Sequence, residues 1–151
     1  MPTSSTRTQV HGKKYVTTED GDYLAVSEIL TGKIMLPSGQ PVQVKRAFVN
    51  ATSNATTELV PAVATAVIRV LSLIMVHGGT AGTVTLKSAS TAISPIFSNA
   101  ANGGAVLPFN QHGWFQGNDV NEALNVTVSN SSDCGVIVQF IEIPADQTDL
   151  L

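Results

Sequence analysis

Lysine and arginine are missing from the whole second part of this chain. None follows Lys87, whereas Asp119, Glu122, Asp133, Glu142, Asp146 and Asp149 all do. The first 18 residues reverse the balance with Arg7, Lys13 and Lys14 and no acid, and the formal net charge is −3. Three bases without interleaved aromatics do not make the stripe that nucleic acid demands. Charge of either sign is scarce, at 13% of residues, but hydrophobic residues reach 43%, which excludes a disordered chain over most of the length. Cysteine occurs once, as Cys134, so no intrachain disulfide can form. The longest apolar run, Val67 to Val76, is ten residues and cannot cross a bilayer as a helix. The opening MPTSSTRTQVHGKK has no apolar segment of the secretory type. The expectation is therefore a soluble protein folded in a reducing cytoplasm, in which the four N-x-S/T triplets at Asn50, Asn54, Asn125 and Asn130 are chance products of composition.

What the chain does have is Val, Thr, Ser, Asn and Ala in short alternating runs. The stretch VIRVLSLIMVHGGTAGTVTLK, Val67 to Lys87, reads as a strand, a glycine turn and a second strand. In the second strand Val84 and Leu86 alternate with Thr83, Thr85 and Lys87, the pattern of a half-buried antiparallel strand. Further strands are predicted around 42–48, where Val42, Val44 and Phe48 share one face, and at 58–63, 91–98, 105–109, 121–129 and 136–143. No stretch reads as a helix. The break Pro37-Ser38-Gly39-Gln40-Pro41 separates residues 1–40, an N-terminal arm or small β subdomain, from a main domain at 41–151. The predicted fold is all-β: an antiparallel β-sandwich or jelly roll of about eight strands with an N-terminal arm.

Two of those strands, 67–76 and 136–143, carry apolar residues on both faces. A two-layer sandwich would leave one such face uncovered, so a neighbouring copy or the arm is expected to cover it. Val67, Leu71, Leu73, Val136, Val138 and Phe140 are the candidate interface residues on this reasoning. Arg7, Lys13 and Lys14 are candidates to meet the acidic trailing half of a neighbouring subunit.

Reactive motifs are weak. His77-Gly78-Gly79-Thr80-Ala81-Gly82 lacks the Lys-Ser/Thr ending of a phosphate loop and is better read as a hairpin turn. His11, His77 and His112 are not at metal-ligand spacing, and Cys134 is remote from them in sequence. His112 with Asp119 and Glu122 would make an acid–base or metal cluster only if the loop folded back. Neither a catalytic residue nor a cofactor or metal site is expected. Trp114 and Phe115, beside His112, Gln116 and Asn118, allow a second reading as a sugar-stacking loop, against the alternative of a plug at the sandwich end.

Three segments carry a resemblance: IRVLSLIMVHGGTAGTVTLKS, TAISPIFSNAANGGAVLPFN, and GWFQGN with NEALNVTVSNSSDCGVIVQFIEI. Together they resemble small β-sandwich virion proteins of tailed bacteriophages, over about half of the chain, Val67 to Ile143. That family includes capsid decoration (cement) proteins, which resemble jelly rolls, often trimerise and sit over junctions between capsid subunits. The resemblance implies a non-enzymatic structural protein, made in the host cytoplasm and carried on the capsid surface of the virion. Its implied partners are two further copies of itself, as a homotrimer, and the major capsid protein, with no nucleic acid and no membrane. A tail or head-fibre component, or a carbohydrate-binding module using the Trp114 loop, are the alternatives.

Overall fold

The structure is a computed structural model. It describes residues 9–10, 13–17, 23–25, 32–129 and 133–150, with side chains described for 32–129 and 133–147. The chain divides into two units, Met1–Gln43 and Val44–Leu151.

In the first unit, β1 (Gln9–Val10), β2 (Lys13–Thr17) and β3 (Tyr23–Ala25) form one antiparallel sheet in that order. β4 (Lys33–Met35) and β5 (Pro41–Gln43) form a separate hairpin. Its turn closes through Leu36 N to Gln40 O at 2.9 Å and Gly39 N to Leu36 O at 2.8 Å. Gly39 sits at φ +84°, a conformation that glycine adopts at no steric cost. The strand at 41–43 thus belongs to the first unit.

The second unit holds β6 (Lys45–Ala51), β7 (Ala55–Val60), β8 (Ala66–His77), β9 (Gly82–Ser88), β10 (Thr91–Ala92) and β11 (Phe97–Asn99). It continues with β12 (Gly104–Leu107), β13 (Phe115–Gln116), β14 (Leu124–Ser129), β15 (Cys134–Pro144) and a 3-10 helix, Ala145–Leu150. Sheet I runs β12-β8-β15-β6, with β13 sharing the β12 edge of β8. Sheet II runs β10-β9-β14-β7, with β11 sharing the β10 edge of β9. Counting β10/β11 and β12/β13 as one position each gives eight strand positions, all paired antiparallel. First pairs with last (β6 with β15), second with second-last (β7 with β14), β8 with β12/β13, and β9 with β10/β11. This nested pairing is the connectivity of a jelly roll.

The core lies between the sheets. Sheet I contributes Ile68, Val70, Leu73, Met75, Val136, Val138 and Phe140, and sheet II contributes Leu59, Val84, Leu86, Val126 and Val128. Phe97 meets Phe115 edge to face, ring centres 6.2 Å apart, at the margin of this core.

Of the two strands that look apolar on both faces, β8 owes part of this to a bulge, whereas β15 does hold Ile137, Ile141 and Ile143 on the face opposite Val136, Val138 and Phe140. Opposite β15, Gln139 pairs with Ser72 but Phe140 pairs with Val70, so Leu71 is an extra residue in β8. Such a bulge shifts the side-chain phase by one. The inward residues are therefore Leu73, Met75 and His77 on one side of it and Ile68 and Val70 on the other. A second correction concerns Phe48. Ala47, Val49 and Ala51 are the inward residues of β6, and Phe48 points outward. The alternation does not carry through from Val42, because the strand breaks at Val44 between β5 and β6.

Candidate interaction surface

The two outer faces of the sandwich differ in chemistry. On sheet II the outward rows are Glu58–Asn125–Lys87, Thr56–Thr127–Thr85 and Ser129–Thr83. Every one of these side chains is polar. Thr56 and Thr127 share a hydrogen bond of 2.8 Å, Thr83 and Ser129 share another, and Asn125 Nδ2 donates to Ala89 O at 2.7 Å. This is a face suited to water.

On sheet I the register aligns Phe48, Ile137, Ile74 and Val106 into one row across all four strands. They are 78%, 40%, 43% and 67% exposed, respectively. With strands about 4.8 Å apart the row is about 14 Å long. The next row is Asn50, Gly135, Val76 and Gly104, with Val76 54% exposed between two glycines. On the other flank, Ser72 Oγ donates to Gln139 Oε1 at 2.9 Å beside Arg46. This outer face therefore carries two bases, Arg46 and Arg69, no acid among the described residues and five exposed aliphatic or aromatic side chains. Scattered exposed apolar residues are ordinary, but a contiguous patch is a mark of an interaction surface.

The candidates drawn from sequence fall elsewhere. Val67, Leu71, Leu73, Val136, Val138 and Phe140 are all buried within the single chain. Leu73, Val136, Val138 and Phe140 point into the sandwich core, so they have no surface left to offer a second copy. The outward residues of the same two strands, Ile74, Val76 and Ile137, do. Arg7 lies outside the described residues; Lys13 and Lys14 lie on β2, and only their backbone is described. Sequence reasoning missed Phe48, Ile137, Ile74, Val76 and Val106 as a set. The signal for each of them was an apolar residue two along from a polar or glycine position, legible only once the strand partners are known.

The Trp114 loop is tied to the bulge. Between β12 and β13 the chain leaves the β8 edge, and its amides reach back: Asn110 N to Leu71 O at 2.9 Å and Trp114 N to Val70 O at 2.8 Å. Those carbonyls flank the extra residue and would otherwise lack strand partners. Trp114 Nε1 donates to Pro108 O at 2.7 Å, and Asn110 Oδ1 accepts from His112 N at 3.0 Å. The indole edge is exposed, but its one donor is already used. Phe115 turns inward against Phe97, and His112 is exposed beside Gln111. Of the three glycan candidates, His112 and Trp114 share the surface and Phe115 does not. Gly113, at φ +81°, lies so close to Arg69 that a Cβ would fall 2.5 Å from its Cγ. Arg69 Nε donates to Gln116 Oε1 at 3.0 Å, and burial lowers the basicity of its guanidinium.

The acid–base cluster does not assemble. Glu122 accepts from Ser88 Oγ, and Asp119 Oδ1 accepts from Val120 N at 2.7 Å. Among the described residues no three His, Cys, Asp or Glu side chains gather as metal ligands. His77 is buried, with neither ring nitrogen hydrogen-bonded to a protein atom, and it stands opposite buried Cys134 across the β8–β15 ladder. Burial raises the Cys134 thiol pKa, and a backbone hydrogen bond with Val76 works against that rise. His11 lies outside the described residues. No described helix is long and apolar enough to cross a membrane.

No protein family and no curated protein matches the chain. Among solved structures, the chain is similar to one from the "Cyanophage Pam1 capsid asymmetric unit", at 15% identity and a TM-score of 0.43, covering 68% of this chain and 86% of that one.

Proposed function

We propose that this chain is a structural protein of a phage particle, a capsid decoration (cement) protein that binds the major capsid protein as a homotrimer and stabilises the head. The observation that carries the reading is the contrast between the outer faces of one jelly roll: sheet II is polar across β7, β14 and β9, whereas sheet I presents the exposed row Phe48–Ile137–Ile74–Val106. A protein that works alone in water gains nothing from such a face, while one seated among protein neighbours gains by covering it. Low charge suits the same setting, because interface centres are depleted in Lys, Glu and Asp. The sequence segments that resemble phage virion proteins cover this same unit. On the proposed reading the chain is made in the host cytoplasm and sits on the capsid surface. Individually weak contacts there become strong in sum, because many copies on one shell multiply them.

The test is co-sedimentation of the purified chain with empty shells of the major capsid protein from the same phage. Saturable recovery in the shell pellet, with shells that then resist heat or denaturant better, is the expected result. A chain that stays in the supernatant at concentrations well above micromolar overturns the decoration reading.

A further inference from the structure

We infer that the outer face of sheet I, centred on Phe48, Ile137, Ile74 and Val106, is the surface through which copies of this chain meet one another. The inference deepens the self-assembling part of the reading above and rests on it.

Three features favour a second copy over a foreign partner. The first is charge. Val44–Leu151 carries four basic and seven acidic residues, so two copies repel each other over most of their surface. The outer face of sheet I has no acid among the described residues, and its two bases, Arg46 beside the Ser72–Gln139 pair and Arg69 bonded to Gln116, stand off the apolar row. It is the place where two like-charged molecules approach at least cost, and its apolar row carries no charge with which to select a foreign partner.

The second feature is relief. Phe48 stands out at one end of the row, while Gly135 and Gly104 flank Val76 and leave bare backbone one row away. A Cβ on Gly135 would meet nothing nearer than Asn50 Oδ1 at 3.5 Å, so the hollow beside Val76 is open to the outside. A protruding ring and a hollow on the same face are complementary parts that every copy carries. The third is size. Phe48, Val106, Val76, Ile74 and Ile137 together expose several hundred Å² of apolar surface, a large share of the roughly 800 Å² per partner in a stable interface. Arg46, Gln139 and Ser72 on one flank and Asn50 on the other give it polar neighbours, as interface margins have.

The experiment is light scattering on the full chain and on four variants: Phe48→Glu, Phe48→Ser, Gly135→Arg and, on the polar face, Thr85→Lys. Circular dichroism and thermal unfolding check that each is folded. The wild-type chain is expected at a multiple of 15.8 kDa, three by the reading above. The sheet I variants are expected to run as monomers at the same concentrations, an association at least about 30-fold weaker, which is the loss typical of a central interface residue. Thr85→Lys is expected to keep the wild-type mass. Phe48→Ser adds no charge and removes only an exposed ring, so it still reads the contact if the charged variants fold poorly. Sheet I variants that keep the wild-type mass overturn the inference, as does a wild-type monomer. If those variants assemble normally but no longer sediment with shells, the row belongs to the capsid protein and the self-contact is overturned, while the decoration reading stands.

Discussion

Gly104 and Gly135 occupy equivalent positions on either side of Val76, yet they tolerate change differently. A Cβ on Gly104 would fall 2.1 Å from Met75 O, a backbone atom of the neighbouring strand. Gly104→Ala must push β12 off β8 and is expected to cost about 2–4 kcal/mol, read as a lower midpoint in urea. Gly135→Ala meets only ordinary contacts and is expected to stay within about 0.5 kcal/mol of wild type in the same assay. Cys134 supplies a pH-dependent counterpart. Its thiol pKa is raised in the fold by burial, so the native state holds the thiol proton more tightly than the unfolded chain does. That contribution is fully present below the unfolded thiol pKa of about 8.5 and is lost as pH rises through the folded value. Stability should therefore decline above about pH 8.5, and this component of the decline should vanish in Cys134→Ala. Alkylation of Cys134 at that pH should proceed only as the chain opens, because the side chain is fully buried.

At the scale of the element, β8 shows how much a sequence can tell. Its strand character was legible from Val and Ile content, and the hairpin into β9 from the glycines and from the alternation of Val84 and Leu86. Its faces were not legible. A strict period of two puts Leu71 with Leu73 and Met75, and makes both faces apolar, whereas the extra residue at Leu71 splits the strand into two phases. Nothing local in VIRVLSLIMVH marks the bulge. It is set from outside, by the register of β15 and by the loop that bonds the carbonyls of Val70 and Leu71. Deleting Leu71 removes the bulge and, if β15 keeps its register, leaves Phe140 opposite Val70 and Ile141 opposite Arg69, so the other side chains of β8 keep their faces. The deletion variant is expected to keep a cooperative thermal transition, at a midpoint lowered by the loss of the buried Leu71 side chain and of the carbonyl that Asn110 N bonds. Leu71→Ala keeps the residue count and is expected to lose about 2–5 kcal/mol while still folding. The difference between the two variants, measured by calorimetry, separates the backbone contribution of the bulge from the packing of the Leu71 side chain. Phe48 was misread for a related reason: alternation was carried from Val42 through a break at Val44.

For the whole molecule, the jelly roll was legible as a count of short strands and turns, since each strand advertises itself locally. The candidate interaction surface was not, because Phe48, Ile74, Val106 and Ile137 belong to four different strands and become neighbours only through register. Their exposure also leads to a prediction about stability that differs from that of a core residue. In an isolated chain Phe48 is 78% exposed, so Phe48→Ser removes almost no buried contact and should shift monomer stability by no more than about 0.5 kcal/mol. In an assembly joined through this face, the same ring is covered, and folding is linked to association. The wild-type thermal midpoint should then rise as protein concentration rises, because association removes folded monomers from the unfolding equilibrium. Phe48→Ser should show a midpoint independent of concentration and equal to the wild-type value extrapolated to high dilution. Differential scanning calorimetry over about a hundredfold range of concentration makes the comparison. A wild-type midpoint that does not move, or a variant midpoint that moves in parallel with it, would mean that this ring is not where the stabilising contact lies.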